Sequence, residues 1–211
     1  MTLVKKNEKE QIETLAVEAL QPVADELRTI CFYGDVNEKL CGDIVSALSY
    51  FKDNAKTYRL SDPDDLESDI VEETKPVKLI VSTMGGSAPE MFAVYDMMRH
   101  LRETCDLETL GLGKVMSAGV LLLAAGTKGK RKIGQNCRVM LHSVMGGYQG
   151  TLTHMENEIA EVRWMQDRYI KCLEAETNMC EREIKRMFKK HMDVYLSAEE
   201  AVEFGIADEI V

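Results

Sequence analysis

Apolar positions along this chain switch repeatedly between short runs and helical spacing. Ile12, Leu15, Ala16, Ala19 and Leu20 share one face of a helix predicted over 8–21, interrupted at Pro22. Thr29–Tyr33 predicts a short strand, ended by Gly34 and Asp35. Asn37 can cap a following helix whose apolar face carries Leu40, Ile44, Leu48 and Phe51. Residues 77–81, 107–112 and Arg138–Leu141 predict three further strands, the first suited to a buried parallel sheet. Met91, Val94, Tyr95, Met98 and Leu101 recur at helical spacing, and residues 117–126 form the next helix. Thr153 and Glu156 read as a capping box before a long helix, with Met155, Ile159, Val162, Tyr169 and Leu173 inward. Ser197 and Glu200 form a second box. This alternation predicts an α/β fold with a largely parallel sheet built from right-handed crossovers.

Two stretches break the pattern. Residues 53–76 are polar, with an acidic run at 61–73, and read as a solvated insertion or mobile loop. Residues 128–132 read as a solvated basic turn. The organisation expected is a helical segment at 1–28 followed by one domain at 29–211, with no long linker or repeat.

Composition narrows the classes. The chain has 211 residues, 45% apolar and 29% charged, as an ordinary globular domain does. A net charge of −10 argues against nucleic acid or an anionic membrane as partner. The longest apolar run, 120–125, is far too short to span a bilayer, and residues 1–22 hold no hydrophobic signal core, so a cytoplasmic protein is expected. The six cysteines include no Cys-x-x-Cys pair and read as reduced, packed thiols. No tight Cys/His cluster suggests a metal.

The candidate chemistry lies at three strand ends. Ser117 stands where a strand turns into a helix, where backbone N–H groups of a first turn are free to bind an oxyanion. It can equally be an N-cap, and the spacing is not Gly-x-Ser-x-Gly. His142 directly follows the strand Arg138–Leu141, and Gly85-Gly86 follows the strand at 77–81. Singly, these could be a packed histidine and an ordinary turn. Crossover topology brings such ends to one edge of a sheet.

Three ordered segments carry a resemblance. Met116-Ser117-Ala118-Gly119 with residues 124–131, residues 138–142 with 146–150, and residues 193–205 resemble the serine, histidine and acid segments of the ClpP-like serine peptidases, the proteolytic subunits of Clp proteases. The likeness covers about residues 29 to 211. It implies Ser117 as nucleophile, His142 as general base, Asp193 as orienting acid, and the backbone N–H groups of Gly86 and Ala118 as oxyanion hole. It also implies a ClpP/crotonase-type spiral of repeated ββα units, with a projecting handle helix from about Thr153. The function implied is that of a ring-forming serine endopeptidase, in stacked heptamers, acting on unfolded polypeptide with an AAA+ unfoldase as possible partner. No cofactor is implied, and ATP would belong to the partner, because no Gly-x-x-x-x-Gly-Lys-Ser/Thr loop is present.

The chain departs from the family pattern at several points. Met84 stands where the family usually has Pro, Ser143-Val144 where it often has Gln-Pro, and Met192 where an arginine commonly pairs rings. Lys78, Ile80 and His100 occupy the aromatic positions of its unfoldase docking pocket. Asp208, the other acid near the C-terminus, reads as a surface residue. The rival functions are a noncatalytic structural ring subunit, a crotonase-like acyl-CoA enzyme and a specialised viral capsid-assembly protease. The Ser/His/Asp set favours the peptidase over the first two.

Overall fold

A computed structural model describes residues 27–62, 64–65, 68–189 and 193–211. The helix expected at 8–21 and Met192 lie outside the described residues. Strands β1 (Thr29–Tyr33), β4 (Val77–Thr83), β5 (Leu107–Met116), β6 (Arg131–Ile133) and β9 (Glu209–Ile210) lie in that order in one parallel sheet. Strand β7 (Arg138–Leu141) pairs in parallel with β5, and β8 (Val194–Leu196) runs antiparallel beside β7. The helices are α1 (Glu38–Asp53), α2 (Ala88–Arg102), α3 (Ala118–Ala124), α4 (Leu152–Glu176), α5 (Glu181–Lys189) and α6 (Ala198–Glu203). This is the mixed α/β fold with a mostly parallel sheet that the alternation predicts.

Strand β5 organises the site. Its first half, Thr109 to Gly111, pairs with β6, and its second half, Lys114 to Met116, pairs with β7. Gly113 lies between them at φ +67, a conformation that glycine adopts at no steric cost. The bend lets one strand serve two neighbours in succession. It also carries β5 four residues past the predicted end at 112, straight to Ser117. Every residue of α3 is buried, so the helix that follows Ser117 is anchored in the core.

Caps fix several helix starts. The Asn37 side chain accepts from the Leu40 N–H, and Ser197 with Glu200 forms the predicted capping box. The cap of α4 is Thr151, two residues before the expected Thr153, and its hydroxyl accepts from the His154 N–H. Tyr169 and Leu173 point inward as expected, whereas Met155 and Ile159 are exposed. The first half of α4 is largely exposed among the described residues. Residues 142–150 hold no strand. All six cysteines are free, and burial pushes the Cys137 thiol up to about 11.

Three expectations are corrected. The stretch 53–76 is not simply a mobile loop: within it β2 (Lys56–Leu60) pairs antiparallel with β3 (Ile70–Thr74). Two of its acids have cross-strand partners: Lys56 meets Glu72 at 3.0 Å and Arg59 meets Glu73 at 2.7 Å. The basic turn is not simply solvated, because Arg131 is only 4% exposed. Asp208 is not a free surface acid. Arg131 donates to it through Nε at 2.9 Å and Nη2 at 2.5 Å, and Nη1 donates to the carbonyls of Ala124 and Glu176. One guanidinium thus ties the ends of α3 and α4 to the C-terminal segment.

Burial raises the Asp208 pKa, but hydrogen bonds from Arg131 and Gly129 and the Arg131 charge more than offset it, leaving the carboxyl below its ordinary value. A carboxyl depressed in the folded state adds stability above its unfolded pKa, and that contribution is lost as pH falls through the folded value. Asp208→Ala leaves a buried guanidinium without its counter-charge and should cost about 3 kcal/mol. Urea unfolding at neutral pH checks this. Asp208→Asn should flatten the loss of stability between neutrality and acid pH; an unchanged acid slope would contradict this role.

Candidate active site

Ser117 turns the chain from β5 into α3 in a single residue. Its φ of 53 is the only positive value among the described non-glycine residues, and its ψ is −121. Such strained strand-to-helix turns expose a nucleophile's hydroxyl. Ser117 holds the N-cap position, yet its side chain makes no capping hydrogen bond. The backbone is fixed instead: its N–H donates to the Met140 carbonyl at 2.8 Å, and its carbonyl accepts from the Tyr169 hydroxyl at 2.9 Å. Burial, and then the neighbouring Cys172, push the Tyr169 phenol above its ordinary value, which keeps it protonated as a donor.

The glycine loop packs directly against this turn. Gly85 has φ +100, and a Cβ there would lie 2.6 Å from the Ser117 Cβ. Gly86 has φ +150, and a Cβ there would run into the Val36 carbonyl. Val36 pins the loop, donating to the Gly85 carbonyl and accepting from the Ser87 N–H, each at 2.9 Å. Among the described residues neither the Gly86 nor the Ala118 N–H donates a hydrogen bond. Both flank a pocket of about 360 Å³.

Ser117, His142, Gly86 and Ala118 all line this pocket. Met84, Met91, Met145 and Met165 supply much of its apolar wall. His142 sits one residue past β7, and its Nδ1 lies 2.6 Å from the Ser143 carbonyl. Among the described residues no hydrogen bond joins Ser117 Oγ to His142, or His142 to Asp193. Asp193 is exposed and outside the pocket lining. The β7–β8 ladder nevertheless ends with Leu141 opposite Val194, so the next pair along is His142 and Asp193. The structure thus brings four of the five residues into one pocket and leaves the fifth one step beyond the ladder.

Sequence reasoning missed three supports. Val36 pins the glycine loop, and Tyr169 and Gln166 reach the site from α4. A buried tyrosine hydroxyl needs a partner, which is a signal that Tyr169 does more than pack, but the partner cannot be read from spacing. A wider shallow groove of about 710 Å³ lies along α5, but its lining includes neither a serine nor a histidine. No cluster able to hold a metal occurs among the described residues, and no described helix is long and apolar enough to cross a membrane.

The fold is that of an α/β protein whose pocket gathers a serine and a histidine at strand ends. Residues 66–211 match the Clp protease family. The ATP-dependent Clp protease proteolytic subunit 1 of Gloeobacter violaceus is 31% identical over 186 residues, covering 88% of this chain and 84% of that protein. The chain belongs to the Clp protease family, and its activity is that of a serine endopeptidase, a hydrolase.

The contact between Gly85 and Ser117 gives a direct check. Gly85→Ala should push the Ser117 turn aside and strain a backbone at φ +100. Hydrolysis of a small peptide should fall by about 100-fold, because a displacement of the order of an ångström costs that much. Activity near the parent rate would show that the turn tolerates the added methyl group.

Proposed function

We propose that Ser117, His142 and Asp193 form the catalytic triad, with the Gly86 and Ala118 N–H groups as oxyanion hole. The observation that carries this reading is one pocket holding a strained, uncapped serine, a strand-end histidine and two uncommitted backbone donors. Ser117 Oγ attacks the peptide carbonyl while His142 Nε2 takes its proton. The Gly86 and Ala118 N–H groups bind the oxyanion of the tetrahedral intermediate. His142 then returns the proton to the leaving amine, and water hydrolyses the acyl-enzyme by the same steps. Asp193 enters from β8 to stabilise the imidazolium. Family membership favours this peptidase over an acyl-CoA enzyme or a noncatalytic subunit.

Ser117→Ala should lower hydrolysis by about 10⁴-fold or more. A fluorophosphonate probe should label the parent protein at Ser117 alone. Labelling at another serine, or near-parent activity in Ser117→Ala, would overturn the assignment.

The active form proposed is a ring, in stacked heptamers by resemblance, working in the cytoplasm on unfolded polypeptide. The exposed apolar residues of α4 and the preceding segment support assembly: Leu152 is 72% exposed, Trp164 56% and Met145 79%. Two of the three docking positions are polar here, Lys78 and His100, while Ile80 is apolar. Lys78 lies in β4 between Thr29 and Glu108, and His100 pairs with Glu103 at 3.1 Å. An apolar partner loop would have to desolvate these charges, so a typical AAA+ unfoldase of the Clp type is expected to bind weakly. Light scattering should show a particle many times the 23.8 kDa chain; a monomer at micromolar concentration would refute the ring. In a pull-down, that particle should retain a Clp unfoldase only when Lys78→Tyr and His100→Phe are combined. Tight binding by the parent would refute the docking proposal.

A further inference from the structure

Both polar groups of the Ser143–Val144 peptide are engaged. The Ser143 carbonyl lies 2.6 Å from His142 Nδ1, and the Val144 N–H donates to Gln166 Oε1 at 3.0 Å. A carbonyl only accepts, so Nδ1 must carry the imidazole proton and Nε2 must carry the lone pair. The Val144 N–H only donates, which likewise fixes the Gln166 amide with its oxygen toward the peptide. A hydrogen bond at one end of a peptide polarises the other end, so Gln166 strengthens the carbonyl that holds the base.

The geometry points to Gln166 as a positioning residue for His142. Through the Ser143–Val144 peptide it keeps the imidazole in the Nδ1–H tautomer, with Nε2 free for the Ser117 proton. This rests on the reading of His142 as general base. Gln166 stands three residues before Tyr169 on α4, so both project from one face of a helix. Tyr169 holds the nucleophile's carbonyl while Gln166 holds the loop beside the base. The device needs an N–H at residue 144. Proline at that position has none, and Val144 is one of the points where this chain departs from the pattern it otherwise resembles. Among the described residues Asp193 makes no hydrogen bond to the ring, so the peptide is what sets the tautomer in this structure.

The test uses the full chain with ¹⁵N-labelled histidine, of which there are only four. In the parent, His142 should show a protonated Nδ1 and a bare Nε2. Gln166→Leu should move it toward the Nε2–H tautomer. The same variant should lower kcat by about 10- to 100-fold with KM little changed, since the base is misplaced rather than the substrate. Gln166→Glu keeps an acceptor and should restore most of the turnover. Val144→Pro removes the donor, so adding Gln166→Leu to it should cost little more. An unchanged tautomer in Gln166→Leu, equal losses for the Leu and Glu variants, or full additivity with Val144→Pro would each overturn the role. Should Ser117→Ala or His142→Ala leave hydrolysis intact, the triad reading fails instead. The tautomer measurement would still decide the Gln166 contact, because it does not depend on activity.

Discussion

Ser117 reverses the chain from β5 into α3 at a φ that L-residues rarely adopt, and the arrangement around it follows from that turn. Backbone strain of this kind costs about 1–3 kcal/mol and persists only where the surroundings over-determine it. Here the Ser117 N–H is fixed to β7, its carbonyl accepts from Val120 within α3 and from Tyr169 on α4, and its Cβ packs against a glycine with no side chain to spare. The wholly buried α3 prevents the strain from relaxing by a shift of the helix. The capping interaction that would relieve the turn locally is missing, which leaves the hydroxyl to the pocket.

Helix α4 has two different tasks along one rod. Its 25 residues extend for about 37 Å. The half nearer the C-terminus buries one face, which carries Tyr169, Ile170 and Leu173. The half nearer the N-terminus presents Leu152, Met155, Ile159 and Trp164 to solvent. A helix amphipathic over its full length would normally lie flat on its own core. This one buries apolar side chains mainly over its second half and leaves those of the first half exposed. One continuous element therefore carries both the exposed apolar surface and the two side chains, Gln166 and Tyr169, that reach the pocket's backbone.

Local patterning made much of this legible. The strand–helix alternation, the Asn37 cap and the Ser197–Glu200 box depend on residues close in sequence, and the sequence analysis locates them correctly. That Ser117, His142 and Gly85-Gly86 come together was legible because parallel topology gathers strand ends, whereas Ala118 was singled out only by the resemblance. What escaped was nonlocal. The ribbon at 56–74 depends on Lys56 and Arg59 finding Glu72 and Glu73 across the strands, which a count of acids cannot show. Arg131 and Asp208 are 77 residues apart, so each alone looks like a surface charge. Helical periodicity placed Tyr169 inward but could not say which backbone group its hydroxyl meets. For Met155 and Ile159 periodicity gave the apolar face correctly, but whether the chain itself covers that face depends on the path of the helix.

Topology decides which of the two C-terminal acids lies near His142. Strand β7 delivers His142 at its C-terminal end. A parallel neighbour of β7 would bring its own C-terminal end there, along with residues at the far end of its hydrogen-bonded run. An antiparallel neighbour brings its first residues instead. Strand β8 is the one antiparallel strand in the main sheet among the described residues, and its entry point is Asp193 followed by Val194, opposite Leu141. The chain thus reaches the histidine's edge of the sheet by the shortest antiparallel pairing available to it, three residues long. Asp208 lies beside β9 on the other arm of the branched sheet, with Arg131 already holding both of its oxygens. Of these two C-terminal acids, Asp193 stands at the histidine's edge of the sheet, one step beyond the Leu141–Val194 pair, whereas Asp208 is committed to Arg131 on the other arm.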